Sequence, residues 1–123
     1  MKIEVSNGEI VDKMSILQIK SERIDSVEKV RNVLFEIESI EKEFFKISSY
    51  TDKDYLHLKE VNEKLWDIED KIREKERQKF FDQSFIDLAR SVYITNDVRA
   101  DIKKKINKET NSSLSEEKSY SGY

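Results

Sequence analysis

The 123-residue sequence has no cysteine, no proline and only two glycines. Without cysteine the chain can form no disulfide, thiolate metal site or cysteine nucleophile, which agrees with a reducing compartment. An ordinary composition would supply roughly 15 glycines and prolines, but Gly8 and Gly122 stand near the two ends and the interior lacks helix breakers. Because hairpin turns depend on such residues, the sequence predicts an all-α fold.

Long apolar runs and an excess of one charge are missing as well. No apolar run exceeds three residues, as in Val33-Leu34-Phe35, whereas a transmembrane helix needs about 20 and a signal peptide about 7 to 15. We therefore expect a cytoplasmic protein without a membrane partner. With 23 basic and 26 acidic residues, the chain has no net positive charge whose electrostatic field would attract nucleic acid. The run Lys103-Lys104-Lys105 has no interleaved aromatics and is interpreted as a solvated face.

Capping signals and apolar periodicity predict a long antiparallel helical hairpin. The segment from Ser6 to Glu9 has the form of a capping box, so an N-terminal helix should begin near residue 7. A second capping signal at Ser26 precedes a helix over about 26–48, and a 3-4 spaced apolar seam predicts another over about 52–79. The short connection at residues 48–52 makes these two helices antiparallel neighbours.

Two shorter C-terminal helices should pack against this hairpin. Asp82 or Ser84 caps the first of them, and residues 95–97, Thr-Asn-Asp, should separate it from the second. We expect a single helical domain over residues 1–110. The Ser-rich residues 111–123 lose periodicity and are interpreted as a flexible tail.

A stripe of polar and aromatic residues on the 52–79 helix is the first candidate site. Asn62, Trp66 and Arg73 lie between the apolar seam and the charged face, a position that favours an interface or a pocket wall. The alternative is a Trp66 covered by the C-terminal helices, with Arg73 paired to Glu69 beside it.

The second candidate site is the expected break between the C-terminal helices. Arginine is scarce, with 17 lysines against six arginines. A position that carries arginine can therefore depend on the planar guanidinium group, which lysine lacks. Arg90, Asn96, Asp97 and Arg99 cluster there, where exposed backbone N–H groups could help to bind a phosphate or carboxylate. The alternative is local capping by Asn96 or Asp97, with the arginines paired to nearby carboxylates.

Other chemistry is disfavoured. The carboxylates Glu60, Glu63, Asp67, Asp70 and Glu74 lie opposite the apolar seam and should face solvent rather than hold a metal. His57 is the only histidine, so a packed, hydrogen-bonded side chain is expected there. No serine stands in a nucleophile-elbow motif, and no glycine-rich loop could cradle phosphate. We expect no metal and no cofactor.

Several segments resemble an uncharacterised family of small helical proteins from bacteria and their phages, sometimes encoded among glycosyltransferase and surface-polysaccharide genes. They are SNGEIVDK from Ser6, VNEKLWDIEDKIR from Val61, LARSVYITNDVRA from Leu88 and EEKSY from Glu116. On this resemblance, the positions that match the family's motifs are Asn7, Asp12, Lys13, Asn62, Trp66, Asp70, Arg73, Arg90, Tyr93, Asn96, Asp97 and Arg99. Helix one, with Leu17 and Arg23, also loosely resembles the leading helix of chorismate mutases, but that family's remaining charged positions cannot be placed.

Two hypotheses about function follow. The first is a non-catalytic helical interaction module that self-associates or binds a helical partner, because the long hairpin leaves apolar area to cover. The second is a small all-α binding protein or enzyme acting on an anionic metabolite, such as a phosphorylated sugar or nucleotide, with Arg73, Arg90 and Arg99 as clamps.

Overall fold

A computed structural model describes residues 1–115, 117, 119 and 122, with the backbone alone at residues 48–51. It contains three helical spans, α1 (Asn7–Arg23), α2 (Val27–Gln78) and α3 (Gln83–Glu109), and no strand among the residues described. The all-α class is confirmed. Part of the predicted tail, namely Glu116, Lys118, Tyr120, Ser121 and Tyr123, lies outside the described residues.

The helical span α2 cannot be one straight rod. Lys13 pairs with Glu36 at 2.9 Å, and the adjacent Asp12 accepts from Asn62 at 2.9 Å, although a straight helix would separate residues 36 and 62 by about 39 Å. The rings of Phe44 and Tyr55 also lie 5.4 Å apart. The chain therefore reverses between those two aromatics, and the predicted antiparallel hairpin is confirmed.

The reversal divides α2 into a first limb, residues 27–47, and a second limb, residues 52–78. The limbs correspond to the two helices predicted over about 26–48 and 52–79, although residues 48–51 between them keep helical backbone and do not form the separate turn that was expected. The side chains of residues 48–51 lie outside the described part of the chain. With α1 and α3, the two limbs complete a bundle of four helical segments.

Each helical span begins at a side-chain cap that the sequence predicts. Ser6 Oγ accepts from the Glu9 N–H at 3.1 Å, and Ser26 Oγ accepts from the Lys29 N–H at 3.3 Å. Asp82 Oδ1 accepts from the Phe85 N–H at 2.9 Å. These bonds satisfy backbone donors that have no partner within the helix.

The break that the sequence suggests at residues 95–97 is absent. α3 is continuous from Gln83 to Glu109, so the two shorter C-terminal helices are one long helix. Thr95 is buried in the bundle, and Asn96 and Asp97 are half-buried. Tertiary packing on both sides of this segment outweighs the weak helix propensity of three consecutive polar residues.

The core draws apolar side chains from all four segments: Val11, Met14, Phe44, Ile47, Leu58, Val61, Ile102 and Ile106. By contrast, no residue between Ile68 and Thr95 is fully buried. The end of the second limb and the start of α3 thus form a distal arm, residues 69–94, in which no side chain is fully buried. Among the described residues, no helix has the length and apolar character needed to cross a membrane.

α1 and α3 are antiparallel and joined at their ends. Asn107 Oδ1 accepts from the Gly8 N–H at 2.6 Å, and Ser112 Oγ accepts from the Asn7 N–H at 3.0 Å. Asn107, near the end of α3, and Ser112, just after it, therefore cap the first turn of α1. Gly8 allows this close approach, because a Cβ there would lie 2.5 Å from the Lys103 carbonyl oxygen.

Candidate functional site: a groove between the three helical spans

An open groove of about 470 Å³ lies where α1, the second limb and α3 meet. That volume is within the range of small-molecule sites. Its lining residues are Ile16, Asn62, Leu65, Trp66, Glu69, Asp70, Arg73, Val92, Asn96 and Arg99. The first candidate site of the sequence and part of the second therefore meet on one concave surface.

Five of the seven predicted binding residues line this groove: Asn62, Trp66, Arg73, Asn96 and Arg99. Arg90 and Asp97 are outside its lining. Both lie on the far side of α3 at 100° per residue, with Arg90 exposed and Asp97 half-buried. The continuous α3 also leaves no exposed backbone N–H groups at this point, so the anion site expected at a helix break is absent.

Asp12 lies beneath the floor of the groove, where it holds Arg99, one of the lining residues. Asp12 is 1% exposed, and its carboxylate accepts from Arg99 Nε at 3.0 Å and from Arg99 Nη2. This two-point contact is the strongest geometry available to a guanidinium and a carboxylate. Removing Arg99 would leave the buried Asp12 carboxylate without its two-point partner, which is costly for a buried charge.

Asn62 extends the floor from the second limb. Its Nδ2 donates to Asp12 Oδ1 at 2.9 Å and to Ser15 Oγ at 2.8 Å. Ser15 in turn donates to the Asp12 carbonyl oxygen at 2.7 Å. This network ties all three helical spans to one carboxylate, and it fixes the orientation of the Asn62 amide.

Two amides present polar atoms to the groove from facing helices. Both hydrogen bonds of the Asn62 side chain use its nitrogen, so its carbonyl oxygen accepts none from the described residues. The half-buried Asn96 amide likewise makes no side-chain hydrogen bond within the described part of the chain. The groove thus offers acceptors and donors that a ligand could use.

The rim consists of an aromatic ring and exposed charges. Trp66 is half-buried, and the Arg23 guanidinium lies 5.8 Å from its ring centroid. Arg73 donates to Glu69 at 3.1 Å, which confirms the pairing expected from the sequence. Both side chains are largely exposed, so the pair is weak. The arrangement is suited to recognition of a polar molecule with a flat apolar part.

The structure changes the interpretation of the lysine run. Lys103 is buried, with its ammonium 2.7 Å from Glu9 and 3.8 Å from Asp12, so a solvated face is the wrong description of that residue. Lys105 donates to the buried Asp54 at 3.1 Å, and this hydrogen bond raises the pKa of Lys105. Lys104 is exposed, as expected.

The prediction for His57 is wrong, whereas the carboxylate stripe is largely as expected. His57 is exposed, because the chain buries the adjacent Leu58, about 100° away around the helix. Four of the five carboxylates are exposed and Glu63 is half-buried. Arg23 pairs with Asp67 at 2.6 Å, and that bond raises the pKa of Arg23. Within the described residues, no group of three His, Asp or Glu side chains could hold a metal ion.

Residue patterns do not identify the hydrogen-bond network beneath the floor of the groove. Asp12 is named only by the family resemblance, and Ser15 by nothing in the sequence. A buried aspartate looks like any charged helical residue until its arginine partner, 87 positions later, is known. The one available signal is that Asp12 and Ser15 flank Val11 and Met14 on the buried side of α1.

Comparison with known proteins supports one part of the resemblance noted in the sequence, the membership of an uncharacterised family. The chain belongs to a family of unknown function, DUF6165, whose model matches residues 1–123. No curated protein and no solved structure matches it.

Proposed function

We propose that this protein is a helical interaction module that self-associates through the outer face of α3, which comprises Ile86, Arg90, Tyr93, Ile94, Asp97 and Val98. The observation that carries the proposal is the exposure of its four apolar side chains, which ranges from 41% to 47%. Ile86, Tyr93 and Ile94 lie about 120° to 160° around the helix from the buried Ile106. Four half-exposed apolar side chains within 13 residues favour a contact surface.

The distal arm supports the same proposal. Within this arm the apolar side chains of Ile72, Phe85 and Leu88 are only half-buried and keep partial access to solvent. At the tip, Phe80 and Phe81 are each 56% exposed. A second copy packed along α3 would bury this area in the way that a four-helix bundle does.

The first limb of α2 also exposes apolar residues, among them Val27, Leu34, Phe35 and Phe45. Between Phe35 and Phe45, however, no large exposed apolar residue is present. The outer face of α3 is therefore the more continuous surface.

Sedimentation velocity at increasing protein concentration tests the proposal. We expect the wild type to form dimers and Ile94→Lys to shift the equilibrium toward monomer. The matched control is Leu34→Lys, which changes a leucine on the first limb that is 53% exposed, compared with 41% for Ile94, and which should leave the dimer intact. A wild type that stays monomeric at hundreds of micromolar would refute self-association, and a dimer disrupted only by Leu34→Lys would assign it to the other face.

A second candidate function is binding of an anionic metabolite in the groove. It is supported by the convergence of five predicted residues there and by the weak Arg73–Glu69 pair. A ligand phosphate could displace the exposed Glu69 from Arg73 at small cost. Arg99 is held by Asp12 and would act mainly through its position.

Thermal shift with nucleotides and sugar phosphates tests this second function. A ligand at 100 times its dissociation constant adds about 2.7 kcal/mol to the free energy of unfolding. Arg73→Gln should remove the shift, whereas Arg77→Gln, one helical turn beyond and outside the groove lining, should keep it. If no compound shifts the melting temperature of the wild type, the groove is not an anion site.

A further inference from the structure

The outer face of α3 carries its own complementary charges. Arg90 and Asp97 are seven residues apart and lie about 20° from each other around the helix. Arg90 makes no ion pair with any described residue. Tyr93 and Ile94 stand midway between these two charges.

These positions determine which orientation of two α3 helices is favourable. In a parallel pair, Arg90 would face Arg90 and Asp97 would face Asp97, and both contacts would be repulsive. In an antiparallel pair centred between Tyr93 and Ile94, Arg90 of each copy lies beside the partner's Asp97. The same arrangement brings Tyr93 and Ile94 of both copies together at the centre.

We infer that the chain forms an antiparallel, two-fold symmetric dimer through α3, with its axis between Tyr93 and Ile94 and two Arg90–Asp97 pairs across the interface. This inference rests on the proposed self-association and adds the partner's orientation and register. A two-fold interface uses one surface twice, so one self-complementary face is sufficient.

The expected dimer is reversible. The outer face extends from Ile86 to Val98, about 18 Å of helix. A single pair of helices packed over this length covers only part of each chain, so we expect an interface toward the small end of the size range, in which a stable interface buries roughly 800 Å² per partner. We therefore expect dissociation in the micromolar range, where substitutions that weaken the contact are measurable.

Charge exchange tests the register. Arg90→Asp and Asp97→Arg each turn both pairs into like-charge contacts, so each should weaken the dimer by roughly tenfold or more in sedimentation equilibrium. The double variant Arg90→Asp/Asp97→Arg restores opposite charges and should recover wild-type affinity. The control Arg31→Asp changes an exposed arginine on the first limb and should have no effect.

Cysteine cross-linking tests the orientation independently. Because the natural chain has no cysteine, a single introduced cysteine can form a disulfide only with the same cysteine in a second copy of the chain. Around the proposed axis, residue 93 lies next to residue 93 of the second copy. Residue 86 is about 22 Å along the helix from residue 86 of the second copy. Mild oxidation should therefore link Tyr93→Cys and leave Ile86→Cys unlinked.

The outcomes separate the two proposals. Equal cross-linking of both variants would establish a parallel pair and overturn the inferred orientation. A dimer that is unaffected by either charge reversal would overturn the register and leave self-association in place. A wild type that is monomeric throughout would overturn both. Circular dichroism of each variant shows whether the helical fold is retained.

Discussion

Asp12 in α1 and Arg99 in α3 form a two-point ion pair across 87 residues of sequence, beneath the floor of the groove. Asn62 from the second limb donates to the same carboxylate. One buried charge thus connects the three helical spans, and it positions the groove residues relative to one another.

Arg99→Ala should destabilise the fold by about 3 kcal/mol, because it leaves the buried carboxylate of Asp12 without its main partner. Urea unfolding of the variant and the wild type measures this difference. The control Arg77→Ala removes an exposed pair with Glu74 and should cost less than about 1 kcal/mol. Equal losses in the two variants would show that the Asp12–Arg99 pair has no special role in stability.

Gly8→Ala should destabilise the protein although alanine is the better helix former. The gain in helix propensity is about 1 kcal/mol, but the new methyl would lie 2.5 Å from the Lys103 carbonyl and 2.9 Å from Asn107 Oδ1. Overpacking of this kind costs about 1 to 3 kcal/mol, and backbone atoms cannot move aside easily. Gly122→Ala meets no atom within 4 Å, so thermal unfolding should separate the two variants.

Much of the fold can be predicted from local signals. Ser6, Ser26 and Asp82 each mark a helix start, because a side-chain oxygen three residues before a backbone donor is a local relationship. The hairpin follows from two amphipathic stretches with a short connection. Residues 95–97 are mispredicted for the opposite reason: burial of Thr95 by distant parts of the chain keeps the helix continuous.

The candidate site is only partly accessible to sequence reasoning. Helical spacing places Asn62, Trp66 and Arg73 on one stripe, and the structure brings Asn96 and Arg99 to the same groove. Arg90 follows the same local pattern but lies on the other side of α3. The sequence alone cannot separate these cases, because the direction in which α3 packs depends on pairs such as Asp12–Arg99.

Asp82 should make stability depend on pH at the start of α3. Its hydrogen bond from the Phe85 N–H, followed by that from Lys75, lowers the pKa of Asp82 below its ordinary value. A carboxyl with a lower pKa in the folded state stabilises the protein above its unfolded-state pKa, and this contribution is lost as pH falls through the folded value.

Asp82→Asn keeps a capping side chain and removes this titration. At neutral pH the variant should unfold at lower urea than the wild type, and the difference should shrink as pH falls below about 4. Chemical denaturation at pH 7, 4 and 2.5 provides the comparison. A difference that stays constant across this range would exclude the charged cap as its source.

The reversal of α2 between Phe44 and Tyr55 brings Asn62 to the floor of the groove, and the bundle depends on it. The absence of cysteine allows spin labels at Arg31→Cys and Lys71→Cys, two exposed positions in the first and second limbs. Singly labelled proteins control for distances between copies. Double electron–electron resonance should give a separation below about 30 Å, as expected for neighbouring antiparallel helices. A distance near 60 Å, the length of a straight helix between these residues, would contradict the fold and the site built on it.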